Sequence, residues 1–322
     1  PLFDSRDRLT NYFFVVASKK DEKKLITQGN KRVVEARLAD AKFFWDKDRS
    51  KNLIKQIANL KSVTFYEKLG TIYDKTQRLR QLAGLLSDDL NINKEKVQVA
   101  ASISKSDLCS DLVGEYPELQ GVMGKYFALA QGFEKDVANS VSDHYLPTGL
   151  TSVLPKKPFS YSISIVDKID TLVGFFVINE KPTSSKDPYA LRRVALGIIR
   201  IIIENKKNIK VNDLFLYSQN IYLEQGFEFS NNVLIKDISN FLKDRFKYYL
   251  KEKKIRHDII DSVSKKLNLN NISTVYEKAN SLNKVINKKT GEDIISSYKR
   301  AFNILNSEFK NLSEELTNTT DP

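Results

Sequence analysis

Apolar positions recur every three to four residues along most of this chain, the spacing of helices with one face turned inward. One short stretch, "NYFFVVAS" at 11–18, reads instead as a strand. After it, "ITQGNKRVVEARLADAKFFWDKDR" sets Val33, Val34, Arg37, Leu38, Ala41, Phe44 and Trp45 at helical spacing, so its aromatic residues are expected in the core. From 61 to 205 nearly every segment reads as helix. "VTFYEKLGTIYDKTQRLRQLAGLLSDDL" points Leu69, Leu79, Leu82 and Leu86 at a core, and "PFSYSISIVDKIDTLVGFFVIN" is apolar enough to lie centrally. "SSKDPYALRRVALGIIRIIIEN" carries a start signal, Asp187 as N-cap and Pro188 at the first helical position. Residues 206–322 are helical again but more polar, with "NFLKDRFKYYLKEKKIRHDIIDSV" and "EDIISSYKRAFNILNSEFKNL" the clearest helices. The fold class is mainly α with a small β remnant at the N-terminus.

Composition narrows the class. The 322 residues suffice for two or three domains, and no apolar run approaches the roughly 20 residues of a membrane helix. The chain begins with Pro1 and its one methionine is Met123, so it reads as a piece of a longer protein. A single cysteine, Cys109, suits a reducing compartment, and the expected location is cytoplasmic. A net charge of +12 suggests a polyanionic partner, against the alternative that lysine is merely the default surface residue here.

Several chemistries find no support. Neither a GxxxxGK[ST] loop nor a GxGxxG after a strand is present, and one Cys with two distant His residues makes a zinc site improbable. His144, at a helix end in "DHYLP", is expected to be structural. Three apolar helical segments nevertheless carry polar and charged residues: Lys75 and Arg78 in "DKTQR", Ser104, Lys105 and Asp107 in "SKSDL", and Asp167 and Asp170 in "VDKIDTL". Either these are surface salt bridges or, because an unpaired charge inside such a helix costs several kcal/mol, they form one buried cluster of both signs. On the helix after Pro188, Arg192, Arg193 and Arg200 share one stripe that can fork onto phosphates; the alternatives are a solvated face or pairing with Asp167 and Asp170. Residues 241–266 hold nine Lys or Arg against four Asp or Glu, interleaved with Phe246, Tyr248 and Tyr249. That is a plausible RNA footprint, or else a solvated helix with its aromatics inward.

The segments "ARLADAKFFWDKD", "KLGTIYDKTQRLRQLA", "SKSDLCSDLVGEYPELQGVMGKYFALAQGFEKDVANSVSDHYLP", "IVDKIDTLVGFF" and "SSKDPYALRRVALGIIRII" resemble, in order, the beta subunit of bacterial heterotetrameric glycyl-tRNA synthetase. The resemblance implies residues 1–60 as the end of a preceding body domain, 61–205 as a helical domain similar to the HD phosphohydrolases, and 206–322 as a linker and partial anticodon-binding bundle. It implies a non-catalytic, tRNA-binding chain. Its partners would be glycine tRNA and an alpha subunit in an alpha2beta2 tetramer. ATP and Mg are expected in that alpha subunit, and no cofactor on this chain. At the positions where the HD pattern has its metal ligands stand Lys75, Ser104, Lys105 and Asp167. Two of these carry fixed positive charge, which repels a metal, so no metal and no catalytic residue is expected. Candidate RNA contacts are Arg192, Arg193, Arg200, Lys243, Arg245, Lys247, Lys251, Lys253 and Lys254. The competing readings are an HD-type metal-dependent phosphohydrolase and a basic helical scaffold.

Overall fold

The computed structural model describes residues 1–265, 267–286 and 288–318. The described helices are α1 (Leu25–Asp48), α2 (Leu53–Gln56), α3 (Ile72–Leu90), α4 (Lys94–Ile103), α5 (Asp111–Glu115), α6 (Val122–Ala130) and α7 (Lys135–Asp143). They continue with α8 (Pro158–Val177), α9 (Leu191–Glu204), α10 (Val211–Glu224), α11 (Asn231–Glu252), α12 (His257–Lys265), α13 (Ile272–Ile286) and α14 (Lys289–Asn318). Short 3-10 turns link several of them, and β1 (Thr64–Tyr66) pairs antiparallel with β2 (Gly70–Thr71).

α8 is the axle. It begins on Pro158, where a missing N–H costs nothing, and fifteen of its twenty residues, from Ser160 to Phe176, are buried. A helix apolar on every side must be surrounded, and α3, α4, α7, α9, α10 and α11 all pack on it. One set of buried apolar side chains runs from Leu53 to Ala279 and includes Leu69, Leu79, Leu82 and Leu86, as their spacing predicts. α3 is fixed at its start by a capping box: Asp74 N–H donates to Thr71 Oγ1 (3.2 Å) and Thr71 N–H to Asp74 Oδ2 (2.8 Å).

The structure departs from the sequence expectations in five places. Residues 11–18 form no strand, their backbone–backbone contact among the described residues being a single bond from Leu2 N–H to Tyr12 O (3.1 Å); the paired strands are at 64–71 instead. That ribbon also delays α3 to Ile72. On α1, Val33, Leu38 and Phe43 are more than 60% exposed, and packing is confined to the far end, where Trp45 stacks on Phe127 at 5.3 Å. α9 starts at Leu191, after Ala190 in the left-handed region (φ 54°); Asp187 still caps it, accepting from the N–H groups of Leu191 (2.8 Å) and Arg192 (2.9 Å). Finally, the basic segment at 240–263 is broken at Lys254 (φ 58°) into α11 and α12.

Candidate functional site

The three charged segments converge in the core. Lys75 and Arg78, one turn apart on α3, both reach Asp170 on α8. Lys75 Nζ lies 3.0 Å from Asp170 Oδ2, 3.4 Å from Asp167 Oδ1 and 2.8 Å from Thr171 Oγ1, to which it donates. Arg78 forks onto Asp170 with Nε 2.6 Å from Oδ1, and its Nη1 donates to Gln225 Oε1 at 3.0 Å. Lys105, just past the end of α4, brings its Nζ to 3.4 Å from Asp167 Oδ1. Aromatic faces close the cluster: Phe65 under Lys75 (4.5 Å), Tyr145 under Lys105 (4.1 Å) and Tyr222 under Arg78 (4.5 Å).

Burial alone would raise both carboxyl pKa values, yet the cations more than offset it. Lys105 and Lys75 hold Asp167 far below the usual carboxylate range, and Arg78 and Lys75 hold Asp170 down. Both aspartates are therefore anions balanced by three cations. A fourth cation, Lys168, sits beside them on α8 and donates to Leu146 O (2.8 Å), Ser164 Oγ (2.8 Å) and His144 O (3.3 Å).

Ser104 stays apart from the charges: its Oγ donates to Ala101 O at 2.8 Å, closing the last turn of α4. Asp107 also turns away from the lysines. Its Oδ2 accepts from the N–H of Gly121 (2.6 Å) and of Gly124 (3.1 Å). Gly121 needs its φ of 80°, and a Cβ on Gly124 would sit 2.7 Å from Val141 Cγ1, so "QGVMG" is the backbone cradle of one buried carboxylate. His144 is fully buried, with Nδ1 2.7 Å from Val141 O, in the structural position expected of it.

A divalent metal does not fit this donor set. Of the four positions Lys75, Ser104, Lys105 and Asp167, one offers an anion, and two ammonium groups already lie 3.4 Å from it. Among the described residues no group of three or more His, Cys, Asp or Glu side chains is placed to hold a metal.

The basic residues of the C-terminal half separate by environment. Arg200 is 7% exposed and spends its guanidinium on Gly149 O (2.6 Å) and Ser152 O (3.0 Å), so it is a wall rather than an open contact. Arg192 donates to Thr183 O and faces Asp187 at 3.9 Å, while Arg193 is exposed. Lys251, Lys253 and Lys254 are exposed at the end of α11, and Lys243 and Lys247 are half-buried on its flank. None of these five lysines has a carboxylate partner among the described residues; Lys266, at the end of the same basic run, lies outside them. Phe246 and Tyr249 point into the core, so they cannot stack on bases. Tyr248 instead joins Arg192, Arg193, Arg200 and Arg245 in lining a cleft of about 550 Å³ between α9, α11 and the loop after Pro147.

Sequence reasoning missed Lys168, Tyr222 and Gln225 as members of the buried cluster. Lys168 had a visible signal, a lysine between two aspartates in an apolar helix; Tyr222 and Gln225 had none, because only the packing of α10 on α3 and α8 brings them there.

The family described as glycyl-tRNA synthetase beta subunit matches residues 1–265. The glycine–tRNA ligase beta subunit of Rhodospirillum centenum is 38% identical over 311 residues, which cover 95% of this chain and 43% of that protein. Those of Janthinobacterium (40% identical; 82% and 37% covered) and Rickettsia canadensis (39%; 94% and 44%) are similar. The chain thus spans less than half the length of these relatives. With a family match over most of its residues, this chain belongs to the glycyl-tRNA synthetase beta-subunit family.

Proposed function

We propose that this chain is a non-catalytic, tRNA-contacting part of a heterotetrameric glycine–tRNA ligase. It spans the HD-like domain and the first part of the anticodon-binding bundle, and it works in the cytoplasm. The ATP- and Mg-dependent chemistry belongs to an alpha subunit, and this chain helps hold glycine tRNA for it. Family membership supports the reading. So does the filling of the HD-like centre by Lys75 and Lys105, which leaves no donor set for metal-assisted hydrolysis. Among the described residues no helix is long and apolar enough to cross a membrane.

The observation that carries the RNA contact is the row of lysines on α11, free of carboxylate partners and exposed at its end. Acids are interspersed with them in sequence, yet none pairs with these lysines among the described residues, which leaves their charges for phosphates. Each lysine that meets a phosphate releases a counterion, so reversing several flattens the salt dependence of binding by about one unit apiece. The test is tRNA affinity against salt for the full-length subunit with its alpha partner, wild type and with Lys247, Lys251 and Lys254 all changed to Glu. A shallower slope and weaker binding support the reading. An unchanged slope in a folded variant refutes it.

A further inference from the structure

The cleft between α9, α11 and the loop after Pro147 has a chemistry of its own. Its volume, about 550 Å³, is within the range of pockets that hold a small organic ligand. Four guanidinium groups line it, and two of them build its walls. Arg200 is tied to Gly149 O and Ser152 O and so pins the loop that forms one side. Arg192 is tied to Thr183 O and faces Asp187. The guanidinium groups of Arg193 and Arg245, in contrast, make no hydrogen bond or ion pair among the described residues. The Nε of Arg245 is moreover buried without an acceptor, and its guanidinium carbon lies 6.0 Å from the ring centre of Phe241 and 5.8 Å from that of Tyr248. A charged donor withdrawn from water and left unbonded is costly, and an anion in the cleft relieves that cost.

The acidic group at the rim does not oppose an anion strongly. Asp187 already accepts from the N–H groups of Leu191 and Arg192. The rest of the lining is apolar or flat: Pro147, Leu150, Leu196 and the ring of Tyr248. Two free guanidiniums suit a phosphate, and an aromatic ring beside apolar walls suits a planar base.

We propose that this cleft binds a nucleoside phosphate, with its phosphate on Arg193 and Arg245 and its base against Tyr248. The ligand is either a free nucleotide or one unpaired nucleotide of an RNA. None of the lysines of α11 lines the cleft, so its test is distinct from that of the tRNA contact proposed for them.

Calorimetric titration of the folded chain at low salt tests this, with adenosine monophosphate, adenosine, inorganic phosphate and a short single-stranded oligoribonucleotide as probes. One saturable site for adenosine monophosphate or the oligoribonucleotide is expected, with adenosine far weaker. Arg193→Ala and Arg245→Ala should each weaken it about tenfold or more, the usual loss for a charged hydrogen-bonding partner. Tyr248→Ala should weaken adenosine monophosphate more than inorganic phosphate, and Lys135→Ala, remote from the cleft, should change nothing. Tighter binding of the mononucleotide identifies a free nucleotide as the ligand, and tighter binding of the oligoribonucleotide identifies RNA. If Arg245→Ala does not fold, Arg193→Ala decides alone, because Arg193 is exposed. No saturable binding of either nucleotide probe up to about 10 mM, or affinity unmoved by Arg193→Ala, overturns the proposal.

Discussion

Arg78 and Asp170 meet side-on in the core, with Nε 2.6 Å from Oδ1 and Nη2 3.3 Å from Oδ2, and neither side chain is exposed at all. The pair joins α3 to α8, and Gln225 extends it to α10. Removing one partner leaves the other as a buried, under-compensated charge. Arg78→Ala should therefore destabilise the fold by about 3–5 kcal/mol. Lys105→Ala should cost less, about 1–3 kcal/mol, because Asp167 keeps Lys75 at 3.4 Å. Urea unfolding at neutral pH checks the order; equal losses for the two variants would contradict it.

Acid should weaken this protein in two steps. Burial, reinforced by Lys105 and Lys168 against the pull of Asp167, holds the His144 imidazole well below its ordinary pKa, so it is neutral in the fold. The unfolded chain takes up that proton as pH falls through about 6.5, which makes the unfolded state the better proton binder and lowers stability. Asp167 and Asp170 have depressed folded pKa values, so their contribution is intact above about 4 and lost as pH falls below it. His144→Asn should abolish the early decline and leave the later one. A wild-type stability curve flat from pH 7 to 4.5 would contradict the first step.

Base should act in the opposite sense on Lys168. Its ammonium is pushed down to about 8, first by burial and then by Lys105 and Lys75, with Asp167 opposing them. Between about 8 and 10.4 the unfolded chain holds the extra proton, so the penalty for burying this charge relaxes as pH rises. The stability of wild type relative to Lys168→Met should then increase across that range, measured by denaturant unfolding at several pH values. A constant difference would show that the hydrogen bonds to Leu146 O and Ser164 Oγ keep the lysine charged throughout.

Much of this was legible in the sequence, and what was not has physical causes. Charges inside "SISIVDKIDTLVGFF" had to find partners, and Lys75, Arg78 and Lys105 supply them. Helix starts were less legible: Asp187 does cap α9, yet Ala190 turns left-handed first, a conformation that a non-glycine residue seldom adopts and that the sequence does not signal. The apolar spacing of α1 predicted burial that Val33 and Leu38 do not have, because periodicity records an apolar face without naming what covers it. The stripe of Arg192, Arg193 and Arg200 was real as spacing but not as one environment: packing buried Arg200 and left Arg193 outside.

In the function proposed above, this part of the molecule positions RNA and performs no chemistry. Its sharpest test uses the full-length subunit with its alpha partner, wild type and with Lys247, Lys251 and Lys254 changed to Glu. Glycine-dependent ATP–pyrophosphate exchange and aminoacylation of glycine tRNA are measured on the same preparations. Unchanged exchange is expected, with a kcat/KM for tRNA at least tenfold lower, because several phosphate contacts turn repulsive. Aminoacylation undiminished in the variant, or exchange lost in step with it, would overturn the proposed role.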